Sequence, residues 1–360
     1  MEIYYILLFW SIATGLLFYS ISSINNRVIK ILYCCVNYIP LAVVAGIRNI
    51  SVGTDTGLYH YIFYDVSKYD FEWSFFNVNI NDYAYVVEIG YRLLNKAISF
   101  FTLDENIGIM LISIVTILGF AIFFFKTSYN IWITTVIFIG LGFYVETFNT
   151  MRQVLACMII CNGFIFLKDR LYKKWTLTVL IATTMHFTAI VFLGFTKILP
   201  LTRKKLIMCI SFLVLVYFSV SFLGSYISIF DFLIKYESYN NGPENILGLN
   251  DLLKILLYLG VIIVGLCYRK TFSKDEKNFF SICSIFLVFA VVCTLLKSQM
   301  DIFYRFVQYF SIYICLLVPF VLEKMKKIKY IFVFIMIIGI PIIMWVTLSK
   351  NPNLLYSTFL

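Results

Sequence analysis

The 360-residue chain is 61% hydrophobic and only 13% charged. Soluble domains average about half apolar and about a quarter charged residues, so this composition excludes a soluble protein and predicts lipid as the main solvent. The net charge of +10 is interpreted as Lys and Arg in cytoplasmic loops and not as a nucleic-acid-binding surface.

Apolar runs of about 20 residues, the length that crosses a bilayer, recur along the whole chain. The first run has neither a basic stretch before it nor an A-x-A cleavage site, so it is expected to be a retained helix. The sequence therefore predicts an all-α polytopic membrane protein with one membrane domain, residues 1–360. The predicted spans are residues 3–22, 29–47, 107–125, 131–148, 151–167, 206–223, 251–267, 278–296, 305–322 and 330–348.

Residues 84–101 contain Glu88, Arg92 and Lys96, which makes them too polar for a lipid-facing span. They are predicted to form an extracytoplasmic amphipathic helix. The nine cysteines lie almost entirely within apolar runs without neighbouring His or acidic residues, so they are interpreted as structural and no metal site is expected.

The apolar stretch 175–200 lies between two basic loops, KDRLYKK at 168–174 and LTRKK at 201–205. Basic loops favour the cytoplasm, so both loops are placed there and the stretch is predicted to be a re-entrant hairpin with His186 near its tip. The alternative is one tilted span that breaks the charge rule once. With the hairpin, both termini and the loops 48–106 and 224–250 are extracytoplasmic.

Polar residues near the predicted outer ends of the helices are not explained by the topology rule. They are Arg48; Glu88 and Arg92; Asn149, Arg152 and Gln153; and Asp301, Arg305 and Gln308, with the last three sets at helical spacing. Arginine presents a planar fork of donors that suits phosphate or carboxylate, which indicates a site for an anionic head group. The alternative is interfacial snorkelling with local Glu–Arg and Asp–Arg pairing.

Two further residues are candidates for proton transfer. Asp55, in the Gly-Thr-Asp-Thr turn, is either a base or sugar ligand, or the cap of a helix starting near Thr56. His186 is either a general base or a neutral His that bonds to the backbone of the hairpin. The other histidine, His60, is assigned to a polar loop.

Four motifs in order carry a resemblance to a known family: IRNISVGTDTGLYHYIF, EIGYRLLNKAIS, FNTMRQVLACMII and MHFTAIVFLGF, which lie between residues 47 and 195. A weaker similarity is found in DIFYRFVQYF. The order resembles the EpsG/Wzy-type polysaccharide polymerases, which join O-antigen or exopolysaccharide repeat units.

The resemblance implies a substrate and a place. The substrate is an oligosaccharide on undecaprenyl pyrophosphate, and the reaction takes place at the outer face of the bacterial cytoplasmic (inner) membrane. A flippase and a chain-length regulator of the same pathway are the implied partners. The polar positions implied are Arg48, Asp55, Glu88, Arg92, Asn149, Arg152, Gln153 and His186.

The expected chemistry is metal-independent and needs no cofactor, because arginine can stabilise the charge that develops on a leaving pyrophosphate. His186 or Asp55 would take the proton of the attacking hydroxyl. Arg305 is added as a substrate-binding candidate. A ligase and a non-enzymatic flippase or transporter are the competing interpretations.

Overall fold

A computed structural model describes residues 2–21, 26–68, 87–198, 247–297, 302–325, 329–349 and 352–359, together with Lys205 and Ser211. Every extended regular element in these ranges is a helix, and one isolated antiparallel bridge joins Arg48 to Thr358. The chain divides into two compact units, Met1–Ile190 with Tyr330–Leu360, and Val191–Lys329.

The described helices are numbered here in chain order. They are α1 (Glu2–Ile21), α2 (Arg27–Gly46), α3 (Thr56–Lys68), α4 (Ile89–Ser99), α5 (Glu105–Thr127), α6 (Ile131–Gly140), α7 (Phe143–Asn149), α8 (Met151–Lys168), α9 (Tyr172–Met185), α10 (Phe195–Ile198), α11 (Leu249–Cys267), α12 (Lys274–Leu296), α13 (Ile302–Ser311), α14 (Ile314–Lys324) and α15 (Lys329–Ser349).

Polar side chains mark the helix starts, because the first turn leaves backbone N–H groups without intrahelical partners. Asp104 accepts a hydrogen bond from the N–H of Asn106 (2.8 Å) at the start of α5. Ser273 and Glu276 form a reciprocal capping box at the start of α12. Between such caps the helices are rich in Ile, Leu and Phe, which suits elements whose outer surface meets lipid.

Seven helical segments in the described ranges are long and apolar enough to cross a membrane, with α13 and α14 counted together as Phe303–Lys324. The number is eight if α6 and α7 form one bent span. These eight segments correspond to eight of the ten predicted spans, and the all-helical membrane fold is confirmed at that level. The apolar part of α1, Glu2–Phe18, is shorter than these, and the predicted span 206–223 lies outside the described residues. The total of ten spans stays a prediction.

The predicted span 131–148 is bent, since α6 and α7 differ in direction by 51°. A second break follows, because α7 ends at Asn149 and α8 begins at Met151, with Thr150 at φ −114° and ψ 55°. The prediction that Asn149 shares one helix face with Arg152 and Gln153 is therefore wrong. The 3.6-residue spacing does not cross an interrupted helix.

The stretch 175–200 is also interrupted, and the interruption is at His186. Helix α9 ends at Met185, His186 is extended (φ −155°, ψ 121°), and a 3₁₀ segment, Phe187–Gly194, leads into the single turn of α10. The break falls at the residue predicted for the hairpin tip.

Helix α4 occupies the middle of the predicted amphipathic segment, while residues 69–86 and most of the loop 224–250 lie outside the described residues. Its polar side chains point into the protein: Arg92, Asn95 and Lys96 are all buried. Leu93 on the opposite face is exposed. Helix α4 is thus amphipathic, with polar side chains on its buried side and apolar side chains on its exposed side.

In the second unit, an ion pair holds each end of α12. Lys324 Nζ lies 2.6 Å from Glu276 Oε1 at the start of the helix, and Lys297 Nζ lies 2.6 Å from Asp251 Oδ1 just past its end. Near its middle, Phe286 packs against the aromatic rings of Phe192 and Phe195, at centroid distances of 5.6 and 4.8 Å.

Candidate functional site

The central contact of the candidate site joins Glu88 to Arg152. Arg152 Nη1 lies 2.6 Å from Glu88 Oε2, although the two residues are 64 positions apart. Glu88 occupies the N-cap position of α4, and Arg152 lies in the first turn of the spanning helix α8. Their side chains are only 19% and 12% exposed, so the charge-assisted bond lies in a poorly hydrated place that still has an opening. Local pairing of Glu88 with Arg92, the alternative drawn from the sequence, is not the principal contact.

The same carboxylate holds the interrupted helix. Glu88 Oε1 accepts a hydrogen bond from the backbone N–H of Phe187 (3.1 Å), directly after the break at His186. His186 Nδ1 lies 4.0 Å from that oxygen, and the His186 side chain is 7% exposed. One carboxylate therefore brings together the starts of α4 and α8 and the end of α9.

The His186 ring has a defined partner in the next turn. Nδ1 lies 2.9 Å from Thr188 Oγ1, and the Thr188 backbone N–H also points at it, at 3.4 Å. A backbone N–H can only donate, so the Thr188 N–H contact favours the neutral tautomer in which Nδ1 accepts and Nε2 carries the proton. In that tautomer His186 donates through Nε2.

Helix α4 approaches α9 closely at Gly90. A Cβ on Gly90 would lie 2.2 Å from Thr184 Oγ1 and 2.8 Å from its backbone oxygen, so only glycine fits without displacement. The approach carries Arg92 inward, where it is 5% exposed. Burial lowers the pKa of Arg92 from its ordinary value and nearby Glu88 opposes the shift, so the guanidinium stays protonated.

Tyr59 links Arg152 to the Asp55 turn. The Tyr59 hydroxyl interacts with the side chain and backbone of Arg152 and with the charge of Asp55, and its ring lies edge-on to Tyr91, with centroids 6.0 Å apart. Burial raises the pKa of Tyr59 to about 12, so the phenol stays protonated near neutral pH. Tyr59 is not among the residues predicted from the sequence, although its position one helical turn after Asp55 would have indicated it.

Asp55 directly precedes α3, at the position from which it was predicted either to cap the helix or to act as a base or sugar ligand. Its backbone oxygen accepts from the N–H of Tyr59 (3.2 Å), which is the N-cap position, and its side chain is half-buried. His60, on the same helix, is buried at 8% exposure. The assignment of His60 to a polar loop is therefore wrong, because α3 begins at Thr56 and includes His60.

The turn before Asp55 is fixed from two sides. Gly53 has φ +99°, a conformation that favours glycine, and its N–H donates to the backbone oxygen of Asn353 at 2.8 Å. The N–H of Thr54 donates to Asn149 Oδ1 at 3.1 Å. Asn149 thus positions the turn and does not lie beside Arg152 on a helix face.

Arg48 lies in a closed environment, with 2% of its surface exposed. Its Nη1 donates to the backbone oxygen of Ala45 and to Ser113 Oγ (2.8 Å), its Nη2 lies 3.1 Å from Met151 Sδ, and its guanidinium lies 5.0 Å from the centroid of the Phe148 ring. Burial lowers the pKa of Arg48 to about 10, opposed by nearby tyrosine hydroxyls, so it remains charged near neutral pH. The two terminal nitrogens of Arg48 thus contact groups of the protein itself.

The remaining predicted residues are Gln153, Asp301, Arg305 and Gln308. Gln153 is buried at 2% exposure, next to Arg152 in sequence. Arg305 and Gln308 lie on α13, in the second unit, and Asp301 lies outside the described residues. Within the described part of the chain, no three His, Cys, Asp or Glu side chains form a group that could hold a metal ion.

Comparison with known proteins gives one result. The family described as the EpsG family matches residues 30–359. No curated protein and no solved structure matches the chain. The matched region contains all four motifs on which the resemblance was based, and also α11 to α15. The resemblance is confirmed, and the chain belongs to the EpsG family.

Proposed function

We propose that this protein is a polymerase that joins oligosaccharide repeat units carried on undecaprenyl pyrophosphate, at the outer face of the bacterial cytoplasmic membrane. The observation that carries the proposal is the Arg152–Glu88 pair, largely buried at the first turn of a spanning helix. Membership of the EpsG family supports polysaccharide synthesis as the process. A lipid-linked substrate meets a membrane protein at this depth, where the polar head group borders the hydrocarbon region.

The charges of the cluster suit an anionic ligand. Arg92 and Arg152 supply two guanidinium groups, and Glu88 holds one of them, Arg152, in place. A guanidinium preorganised in a poorly hydrated site stabilises developing negative charge far better than one in water. We assign Arg152 to the leaving pyrophosphate, with Arg92 beside it, and Glu88 to holding Arg152 in position.

In the proposed reaction, the hydroxyl oxygen of the acceptor repeat unit forms a bond to the anomeric carbon of the growing chain. The bond from that carbon to the pyrophosphate oxygen breaks, and its electron pair stays with the lipid pyrophosphate. The hydroxyl proton needs a base. His186 offers Nε2–H as a donor, so we assign it to orienting the acceptor, and we assign proton removal to Asp55.

Arg48 receives a different role. Its donors are directed at Ala45, Ser113 and Met151, so we assign it to fixing the end of α2 against α5 and α8. Asn149 holds the Asp55 turn in the same way. Gln153 and Arg305 stay candidates for contacts with the sugars.

We further propose that the chain re-enters the membrane after His186. The 18 residues of α8 are about 27 Å long, and His186 lies beside the first turn of that helix, at the end of the span. Helix α9 ends at this place, and His186 is extended. The break, together with the basic loops that flank the stretch, supports a chain that turns back at this point.

Re-entry supports the topology in which both basic loops are cytoplasmic and both termini are extracytoplasmic. An impermeant thiol reagent applied to intact cells should leave Arg203→Cys unlabelled and should label Ser51→Cys. Labelling of position 203 from outside would instead support a single tilted span.

The function is tested by glycan length. Cells without this protein should accumulate single repeat units on the lipid carrier, and the wild-type gene should restore long chains. Long chains that stay on the lipid would identify a ligase, and lipid-linked units kept on the cytoplasmic face would identify a flippase. Purified protein should lengthen the chains when supplied with lipid-linked repeat units alone.

A further inference from the structure

Helix α4 and the segment after it carry a continuous apolar surface on their outer side, composed of Leu93, Ala97, Phe100, Phe101 and Leu103. The four large side chains are 37%, 74%, 89% and 69% exposed, in that order. The first three residues are spaced by four and three positions, which places them on one side of a helix. This surface is called the α4 stripe below.

The opposite side of α4 is charged and buried. Arg92, Asn95 and Lys96 are 5%, 0% and 9% exposed, and Lys96 Nζ donates to the backbone oxygen of Ser67 at 3.0 Å. A helix that faces water has the reverse arrangement, because exposed phenyl rings and buried charges both cost free energy in water. The arrangement is favourable when the outer medium is hydrocarbon.

The α4 stripe lies next in sequence to a candidate membrane span. Leu103 is two residues before the first residue of α5, which is a candidate membrane span. Exposed apolar side chains follow along α5, at Ile107, Val115 and Leu118. Along the chain, only the capping turn at Asp104 and Glu105 separates the stripe from the exposed apolar side of α5.

From this we infer that the α4 stripe inserts into the outer leaflet, with acyl chains as its partner. Helix α4 then lies in the membrane surface with its charged side towards Arg152. Glu88, at the start of the same helix, contacts Arg152 directly. A substrate held by its lipid reaches the arginines sideways along the membrane, without leaving the bilayer; this consequence rests on the proposed function.

Photocrosslinking tests the surface independently of any activity. Phe101 is replaced by p-benzoylphenylalanine, which an 89% exposed position can accommodate, and the full chain is irradiated in phospholipid nanodiscs. Position 101 should yield peptides whose mass includes a phospholipid. Ser51, exposed in the turn near Asp55, is the control and should yield none. Leu103 is the second test position. Absence of lipid adducts at both 101 and 103, or equal adducts at Ser51, would overturn the inference.

The route of the substrate is tested by a double variant, Phe100→Ser with Phe101→Ser. It should lower kcat/KM for a donor with a full-length prenyl chain by about tenfold, while a donor with a short, water-soluble prenyl chain changes by less than about twofold. Leu256→Ser, at an exposed position of the spanning helix α11, is the control and should affect neither donor. An equal loss for both donors would refute sideways entry. A wild-type protein that extends neither donor would refute the polymerase function, whereas the crosslinks would still decide the surface.

Discussion

Arg48 and Arg152 are both arginines next to the end of a membrane helix, in the same unit, and their environments are opposite. The Arg48 guanidinium is fully enclosed and bonded mainly to uncharged groups. Arg152 faces a carboxylate, in a place that remains partly open. The comparison shows that an interfacial arginine can be part of the fold or part of a ligand site, and that the partner, more than the position, distinguishes the two.

The largest effect is expected from Arg152→Lys. Lysine keeps the charge but loses the planar fork that reaches Glu88 and the pyrophosphate together, so the polymerisation rate should fall by about 10² to 10³. The protein should still insert and accumulate. Rates are measured on purified protein, with Arg27→Lys, at an exposed position, as the control. A normal polymer length in Arg152→Lys would make Arg152 equivalent to Arg48.

A smaller loss is expected at His186, and two substitutions separate its possible roles. If His186 donates through Nε2, the amide of His186→Gln should replace it to within about tenfold, while His186→Ala should lose about 10²-fold. Equal loss in both variants would show that the ring accepts a proton, and the base role would return from Asp55 to His186. Thermal unfolding of both variants in detergent checks that the break after α9 is intact.

At Arg48 the effect should be on stability and not on turnover. Arg48→Met fills a similar volume but leaves Ser113 and the end of α2 without their donor. The free energy of unfolding should therefore fall by about 1–3 kcal/mol. Activity per folded molecule should stay within about threefold of wild type. A collapse of activity in protein that remains folded would instead place Arg48 in the site and remove the contrast with Arg152.

Tyr59→Phe should reduce turnover modestly, because the Tyr59 hydroxyl contacts Arg152. The ring contact with Tyr91 is kept, and the hydroxyl beside Arg152 is lost, so kcat should fall by about threefold to tenfold. Because Glu88 still holds Arg152, KM for the lipid-linked donor should hardly change. A large rise in KM would show that Tyr59 binds substrate and does not only position Arg152.

The smallest effect is expected on the pH dependence of stability, through His60, which lies near Arg48. Burial, and then the charge of Arg48, lower the pKa of His60 below its ordinary value of 6.5, against the opposing charges of Glu105 and Asp104. The fold therefore favours neutral His60. Its contribution to stability is complete above the unfolded pKa of about 6.5 and is lost as the pH falls through the folded pKa. The unfolding temperature should drop between pH 7.5 and 5, and His60→Gln should reduce that drop. An unchanged pH dependence in His60→Gln would show that His60 makes no such contribution.

The membrane helices could be predicted from the sequence because length and apolarity alone decide whether a segment crosses lipid. A turn of the chain near His186 was predicted for a different reason, since two basic loops expected on the same side would require the chain to return. Both predictions need only local composition and charge.

The site itself could be predicted only in part. Glu88, Arg152 and His186 were selected as candidates, but their meeting depends on helices that are far apart in sequence. Periodicity cannot show which face of α4 turns inward, because protein and lipid can each cover an amphipathic helix. The prediction that Asn149 and Arg152 share a helix face was wrong, because the break at Thr150 interrupts the helical spacing.

The bonds between residues 47–53 and 353–359 have a consequence for the order of folding. The N–H of Asn49 donates to the backbone oxygen of Ser357, and Asn49 Nδ2 reaches the oxygen of Thr358, 309 positions away. These bonds cannot form until the ribosome has passed residue 357, long after α1 to α9 have been synthesised. The whole of the second unit is synthesised in between. The first helices must therefore exist for a time without these bonds. If the ribosome stalls within the second unit, the turn beside Arg48 lacks the C-terminal segment to which it bonds.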